Sequence, residues 1–179
     1  MGKYLITGRG GSGKSAICVE LQKRGFPAFD TDRIPGFCRW EDRKTGELTV
    51  VDPKGYIDFK KISWAWQDDV LQMLFKSNKD MILCGSSSNQ ADYYSLFDKI
   101  FVLVLDEKTH AHRLKTRDFD YGKNPKLQRE IIARQQTFAK KMIDDGATPI
   151  DVTQPIEKVV DELLSLCEIP ANVTQRPKK

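Results

Sequence analysis

Eight consecutive residues, Gly8-Arg9-Gly10-Gly11-Ser12-Gly13-Lys14-Ser15, satisfy the pattern G-x-x-x-x-G-K-[ST] in full. Each fixed position has a chemical reason. Glycines let the backbone turn so tightly that several N–H groups converge on phosphate oxygens. A helix expected to start near Gly13 points its positive end at the same place. Lys14 can reach the outer phosphates, and Ser15 offers a hydroxyl to Mg²⁺. The expected nucleotide contacts are therefore Gly8, Gly10, Gly11, Ser12, Gly13, Lys14, Ser15 and Ala16. Such a loop gives nucleotide binding and leaves the reaction open.

The rest of the chain must choose the reaction. A guanine-reading N-K-x-D does not follow the fourth expected strand, and the third runs into Cys84-Gly85-Ser86 rather than into the acids of a motor ATPase. Small-molecule kinases can instead use acids at the end of the second strand, where Asp30-Thr31-Asp32 stands. A carboxylate there can hold a Mg²⁺-bound water or take the proton of an attacking hydroxyl. Asp30 is the metal-side candidate and Asp32 the acceptor-side base; the competing reading is that one of them only caps the next segment.

These groups need elements to hold them. Lys3 to Thr7 reads as a buried strand ending at the glycine turn, and Ala16, Ile17, Val19 and Leu21 give the following helix an apolar face that Gly25 stops. Further strands are expected at Phe26 to Phe29, 80–84, 100–105 and Pro149 to Val152, with helices at 67–77, 107–117, 126–143 and 155–167. Strands alternating with helices predict a parallel sheet covered on both faces. Residues 33–66 break the rhythm. They hold Trp40, Trp64 and Trp66 and a turn signal at Asp52-Pro53-Lys54-Gly55, with Leu48 to Val51 as one arm of a hairpin. This segment reads as an insertion over the sheet edge. The tryptophans could stack on an acceptor, or form the insertion's own core. Arg33, Arg39 and Arg43 could hold an acceptor phosphate or carboxylate, and Ser86 to Asn89 could bond a polar acceptor or cap a helix.

The net charge of +4 is unevenly spread. Residues 108–141 carry ten Lys or Arg against three acids, a local +7, so the remainder carries −3. Arg113 and Arg117 are four apart and share a helix face. A break at Tyr121 to Pro125 and a returning helix with Arg129 and Arg134 make a flap over about 113–137 that could clamp a transferring phosphoryl group. A solvated helix face is the plainer reading, and nucleic acid is the rival partner; no aromatic–basic interleaving favours the latter.

GRGGSGKS, FDTD, the RLKTR helix and IDVTQPIEKVVDELL, taken together and in this order over residues 3–167, resemble the P-loop kinases of the adenylate kinase and shikimate kinase group. The resemblance implies an α/β fold of three layers, the P-loop NTPase fold, with a five-stranded parallel sheet, an acceptor-binding insertion and a helical lid. It implies that Asp30 and Asp32 serve Mg²⁺ and the acceptor hydroxyl. Arg113 would pack on adenine and Arg117 would touch phosphates, while the Gln154-Pro155 backbone would lie along the adenine. Cys84-Gly85 stands where adenylate kinases have Asp-Gly, and Gly85-Ser86-Ser87-Ser88-Asn89 where shikimate kinases carry a glycine triplet.

The expectation is an ATP- and Mg²⁺-dependent phosphotransferase in one domain, 1–168, with a disordered basic tail at 169–179. Lys14, Asp30, Asp32, Arg113 and Arg117 would be catalytic, and Ser15 and Asp30 would face the metal. Asp32, Arg33, Arg39, Trp40, Trp66, Gly85 and Asn89 would bind a small-molecule acceptor. A nucleoside or nucleoside monophosphate is the first candidate. A hydroxylated metabolite or antibiotic, a slow ATPase that signals by lid closure, and a polynucleotide 5′-kinase stay open. Four scattered cysteines and two histidines give no zinc spacing, and the cysteines are expected as free thiols. Without an apolar run long enough for a membrane or a secretory signal, a monomeric cytoplasmic protein is expected.

Overall fold

The structure, a computed structural model, describes residues 2–52, 54–118, 120 and 123–167. Pro53 of the expected turn, Tyr121 and Gly122 of the expected flap tip, and the 169–179 tail lie outside the described residues.

Five strands form one parallel sheet in the order β2-β5-β1-β6-β7. They are β1 (Lys3–Thr7), β2 (Ala28–Asp30), β5 (Met81–Cys84), β6 (Lys99–Val104) and β7 (Thr148–Asp151). These are the apolar runs legible in the sequence. β2 starts two residues later than the Phe26 expected, because Pro27 has no N–H for a ladder and contributes only its carbonyl, to Ile82. β1 lies between β5 and β6 in register Leu5 with Leu83 and Ile100. The chain leaves β1 toward β2 on one side, and β5 connects to β6 across it, so a crevice opens at the carboxyl ends beside β1.

Side chains alternate across the sheet. Tyr4 and Ile6 face α1 (Lys14–Lys23) and α5 (Ile156–Leu166), whose Ile17, Leu21, Val160 and Leu163 complete one core. Leu5, Leu83 and Met81 face α2 (Asp68–Ser77), where Leu71 is fully buried. Val102 meets α4 (Pro125–Asp144) through Ala139 and Met142. Each such apolar side chain contributes about 1.5–3 kcal/mol on burial, which fixes the sheet on both faces.

Residues 33–66 contain a separate antiparallel pair, β3 (Cys38–Asp42) with β4 (Ile62–Trp66). The hairpin arm expected at Leu48 to Val51 is not a strand. The chain turns at once after β3, with Gly46 N–H donating to Asp42 O, and Leu48 adds a single bridge to Glu41. β4 is the partner because it places Trp64 across from Trp40, with rings 4.9 Å apart. Asp52 and Gly55 still close their turn, Gly55 N–H donating to Asp52 O at 3.1 Å.

The helices between β6 and β7 have defined starts. α3 (Glu107–Thr116) is capped by Asp106, and α4 by Asn124 with Pro125 in its first turn. No described helix is long and apolar enough to cross a membrane.

Candidate active site

The phosphate loop joins β1 to α1. Its shape depends on glycine at two positions. Gly11 (φ +85°) could not carry a side chain, because a Cβ would lie 2.7 Å from Leu114 Cδ2 of α3. Gly13 (φ +106°) precedes α1 in a left-handed conformation and leaves the helix without a side-chain cap. α3 and α4 have such caps, from Asp106 and Asn124, whereas α1, like α2 and α5, has none, and of these three it is α1 that follows the glycine loop, so its first amides face an anion held there.

Lys14 is nearly buried, and its ammonium donates to Gly8 O at 2.6 Å and Arg9 O at 3.3 Å. Burial holds its pKa below the ordinary lysine value, opposed by Asp32 and Asp30. Two neighbours that the sequence reading did not single out brace the loop. Gln135 of α4 accepts from Arg9 N at 2.6 Å and donates to Leu103 O at 2.6 Å, tying loop and β6 to one side chain. His110 of α3 places Nε2 2.7 Å from Gly10 O, and burial lowers its pKa. Both occupy inward positions of amphipathic helices, Gln135 in step with Leu127, Ile131 and Met142, and His110 with Leu114. A polar residue in an apolar stripe was the signal available.

Arg113 reaches across the loop, donating to Ser12 O at 3.0 Å and to Val152 O. It thereby links α3, the loop and the segment after β7. Asp30 sits at the end of β2, where Oδ1 accepts from Asp32 N. Its Oδ2 is buried without a hydrogen-bond partner, 3.6 Å from Arg33 Nε. Asp32 is exposed and accepts from the Trp64 indole N–H at 3.1 Å. Gly85 is packed against Thr31, so a side chain there would push the end of β5 away from the acids.

One cleft of about 1240 Å³ gathers most of these groups. Gly10, Gly11, Gly13, Lys14, Ser15, Ala16, Asp30, Asp32, Arg33, Arg113, Arg117 and Gln154 line it, as do Trp40 and Trp64. Gly8 and Ser12 lie beneath the loop, where a Gly8 Cβ would meet Ser12 Oγ at 2.6 Å. The cleft also takes Arg43, Phe59, Ser86 to Ser88 and Arg134, of which Phe59 was not among the site expectations. Arg43 is held by its Nε, which donates to Phe59 O at 2.9 Å and Ile62 O at 3.2 Å.

Besides Gly8 and Ser12, five expected contacts are not on the cleft wall. Trp66 shares a strand face with Trp64, but one residue pair further along it is covered by Phe37 and Tyr93 and only 2% exposed. It serves as core. Arg39 precedes Trp40 on β3, so alternation turns it to the opposite, exposed side. Asn89 spends its amide on β4, accepting from Trp66 N and donating to Trp66 O, while Ser88 N and Oγ donate to Trp64 O. These two residues act as a partner for the open edge of β4. Gly85 provides close packing, and Pro155 caps α5. Arg129 is exposed and is also off the wall.

The free-thiol expectation agrees with the structure, in which all four cysteines are unpaired with one another as disulfides. No cluster of three His, Cys, Asp or Glu side chains suited to holding a metal occurs among the described residues. The buried Asp30 Oδ2, which has no hydrogen bond and only the 3.6 Å ion pair with Arg33, lies on the same cleft as Ser15 and nevertheless fits Mg²⁺, which keeps several waters and takes few protein oxygens.

A family model described as an AAA domain matches residues 5–137. No curated protein matches the sequence. Solved structures of similar fold include a gluconokinase from Sinorhizobium meliloti 1021, 18% identical over 92% of this chain and 90% of that one, with TM-score 0.53. A deoxyadenosine kinase from M. mycoides is 16% identical over 93% and 98%, with TM-score 0.55. A shikimate kinase from Bacteroides thetaiotaomicron is 15% identical over 94% and 99%, with TM-score 0.55. The fold is the α/β P-loop NTPase fold, in the form shared by these P-loop small-molecule kinases.

Proposed function

The chain belongs to the AAA domain family, and we propose that it is an ATP-dependent kinase of a small-molecule acceptor. One observation carries this reading. The phosphate-loop lysine Lys14, the carboxylates of Asp30 and Asp32, the guanidinium groups of Arg113, Arg117 and Arg134 and an aromatic wall all line a single cleft at the carboxyl ends of the strands.

Lys14 and the loop amides hold the β and γ phosphates in this reading. Ser15 and Asp30 hold Mg²⁺, which neutralises phosphate charge when bound. Arg113 and Gln154 flank the adenine, and Arg117 and Arg134 face the transferring phosphoryl group. The acceptor oxygen forms its bond to the γ-phosphorus as the bond to the bridging oxygen breaks, and the hydroxyl proton passes to Asp32. No covalent enzyme intermediate is needed, since positioning and charge stabilisation carry phosphoryl transfer. The 33–66 insertion is the acceptor side and 113–137 the lid.

Trp40, Trp64 and Phe59 give an aromatic wall, with the Trp40 ring tilted 48° to Trp64 and 40° to Phe59, on which the base of a nucleoside or nucleoside monophosphate could pack, and these are the first acceptors to test. The second reading, a hydroxylated metabolite, is favoured by the fixed Arg43 guanidinium and by Ser86 to Ser88 on the same wall. Neighbours of both kinds, a deoxyadenosine kinase and a gluconokinase, support testing both.

The test is ATP consumption with a panel of nucleosides, nucleoside monophosphates, polyols, sugar acids and oligonucleotides. With the true acceptor, Lys14→Ala removes turnover and Asp32→Asn lowers it at least about a hundredfold. If ATP binds tightly and no acceptor is phosphorylated, the kinase reading fails. Near-normal turnover of Asp32→Asn would remove that residue from its role as base.

A further inference from the structure

The acceptor-side insertion and the two helices that root the lid are locked together. Ile57, from the loop between β3 and β4, is 1% exposed and packed in a cluster with Leu114 of α3 and Leu127, Ile131 and Ile132 of α4. Contacts surround this plug on both sides. Tyr56 Oη donates to Glu130 of α4 at 3.0 Å, and Lys126 lies 4.2 Å from the centre of the Tyr56 ring. Lys54 pairs with Asp120 at 3.6 Å. The Arg134 guanidinium lies 4.3 Å from the centre of the Phe59 ring, and Phe59 in turn packs on Trp40.

The same residues reach the site. Leu114 is one position from Arg113 and three from Arg117, and it touches the space above Gly11. Ile131 is three and four residues from Arg134 and Gln135 on α4. A side chain buried among α3 and α4 therefore sets where these arginines and the loop-bracing Gln135 stand, although Ile57 belongs to the acceptor insertion.

We propose that Ile57 is a positioning residue that couples the acceptor-binding insertion to the phosphate-clamping lid, so that nucleotide binding orders the acceptor wall before the acceptor arrives. The inference rests on the kinase reading for the identity of the two sites. Coupling of this kind is reciprocal, and 5- to 150-fold effects are usual. Ile57 can carry it because a packed apolar plug has discrete seated and unseated arrangements rather than a graded one. Exposed ion pairs such as Lys54 with Asp120 add little, so the plug is the element to perturb.

The experiment is amide hydrogen exchange read by mass spectrometry, with and without Mg²⁺ and the β,γ-imido analogue of ATP, which needs no acceptor. In the wild type the analogue slows exchange about tenfold both in the phosphate loop and in residues 54–60, which supply none of the proposed nucleotide contacts. Ile57→Ala keeps the slowing in the loop and loses it at 54–60. Ile57→Val, which keeps most of the plug, retains both, and Tyr56→Phe loses no more than part of the effect at 54–60. These conservative variants keep the test decisive if Ile57→Ala does not fold. Protection of the loop without any at 54–60 in the wild type overturns the coupling alone. So does full protection at 54–60 in Ile57→Ala. Absence of protection even in the loop overturns the nucleotide reading, and the coupling with it.

Discussion

Gln135 offers the sharpest test of how the phosphate loop is held. It is 2% exposed and satisfies two backbone groups, the Arg9 N–H and the Leu103 C=O, each at 2.6 Å. Gln135→Leu keeps the volume nearly constant, so the cavity cost is small. The hydrogen-bond cost remains. A buried N–H that loses its acceptor costs about 1–3 kcal/mol. The carbonyl, with a second lone pair, adds about 1 kcal/mol. Together these predict a loss of about 2–4 kcal/mol. With a urea slope of about 2 kcal/mol/M, the unfolding midpoint falls by about 1–2 M. The Arg9 amide is part of the loop, so ATP affinity read by calorimetry falls about tenfold as well. Gln136→Leu, one residue further along α4 and exposed, is the control and stays within about 0.5 kcal/mol. A Gln135→Leu midpoint within about 0.3 M of the wild type would refute the claim that this side chain anchors the loop.

Trp64→Phe keeps a ring on the cleft wall but removes the donor to Asp32. Turnover should fall about three- to tenfold with KM for ATP unchanged, and an equal loss in both constants would point to general disruption. His110 is held below its ordinary pKa by burial, so the unfolded chain takes up its proton first as pH falls below about 6.5. Its contribution to stability is present above that pH and is lost as pH falls toward the folded pKa. Thermal melts between pH 7 and 5 should be steeper in pH for the wild type than for His110→Gln, and parallel curves would contradict the assignment. Burial and then Asp32 push the Cys38 thiol up to about 12, and burial pushes Cys167 up to about 11. Neither should be alkylated by iodoacetamide at pH 8 in the native protein, as peptide mass spectrometry would read, whereas both react once unfolded.

The sheet and the donor half were legible because each signal is local. The apolar runs at Lys3–Thr7, Met81–Cys84 and Lys99–Val104 stand between turns, and the GRGGSGKS pattern constrains backbone conformation within eight residues. Asp30 and Asp32 followed from the strand end they occupy. The 33–66 insertion was less legible. Leu48 to Val51 looked like a hairpin arm, yet the strand that pairs with β3 starts at Ile62 and is chosen by Trp40 meeting Trp64.

Sequence alone determined that a phosphate-binding loop would be followed by a helix, that carboxylates would stand at the next strand end, and that basic residues would cluster at 108–141. These depend on contacts between near neighbours in the chain. Tertiary structure decided which residues face the cleft. Trp64 and Trp66 are alike in type and strand face, and only Phe37 and Tyr93, brought over Trp66 by the fold, make one a wall and the other core. Asn89 was equally placed to meet a ligand until the open edge of β4 claimed its amide. Gln135 and His110 are ordinary polar residues until α4 and α3 bring them against the loop from 126 and 100 positions away. Long-range packing assigns such partners, because an unpaired buried N–H or carbonyl costs more than any local preference of the side chain that can satisfy it.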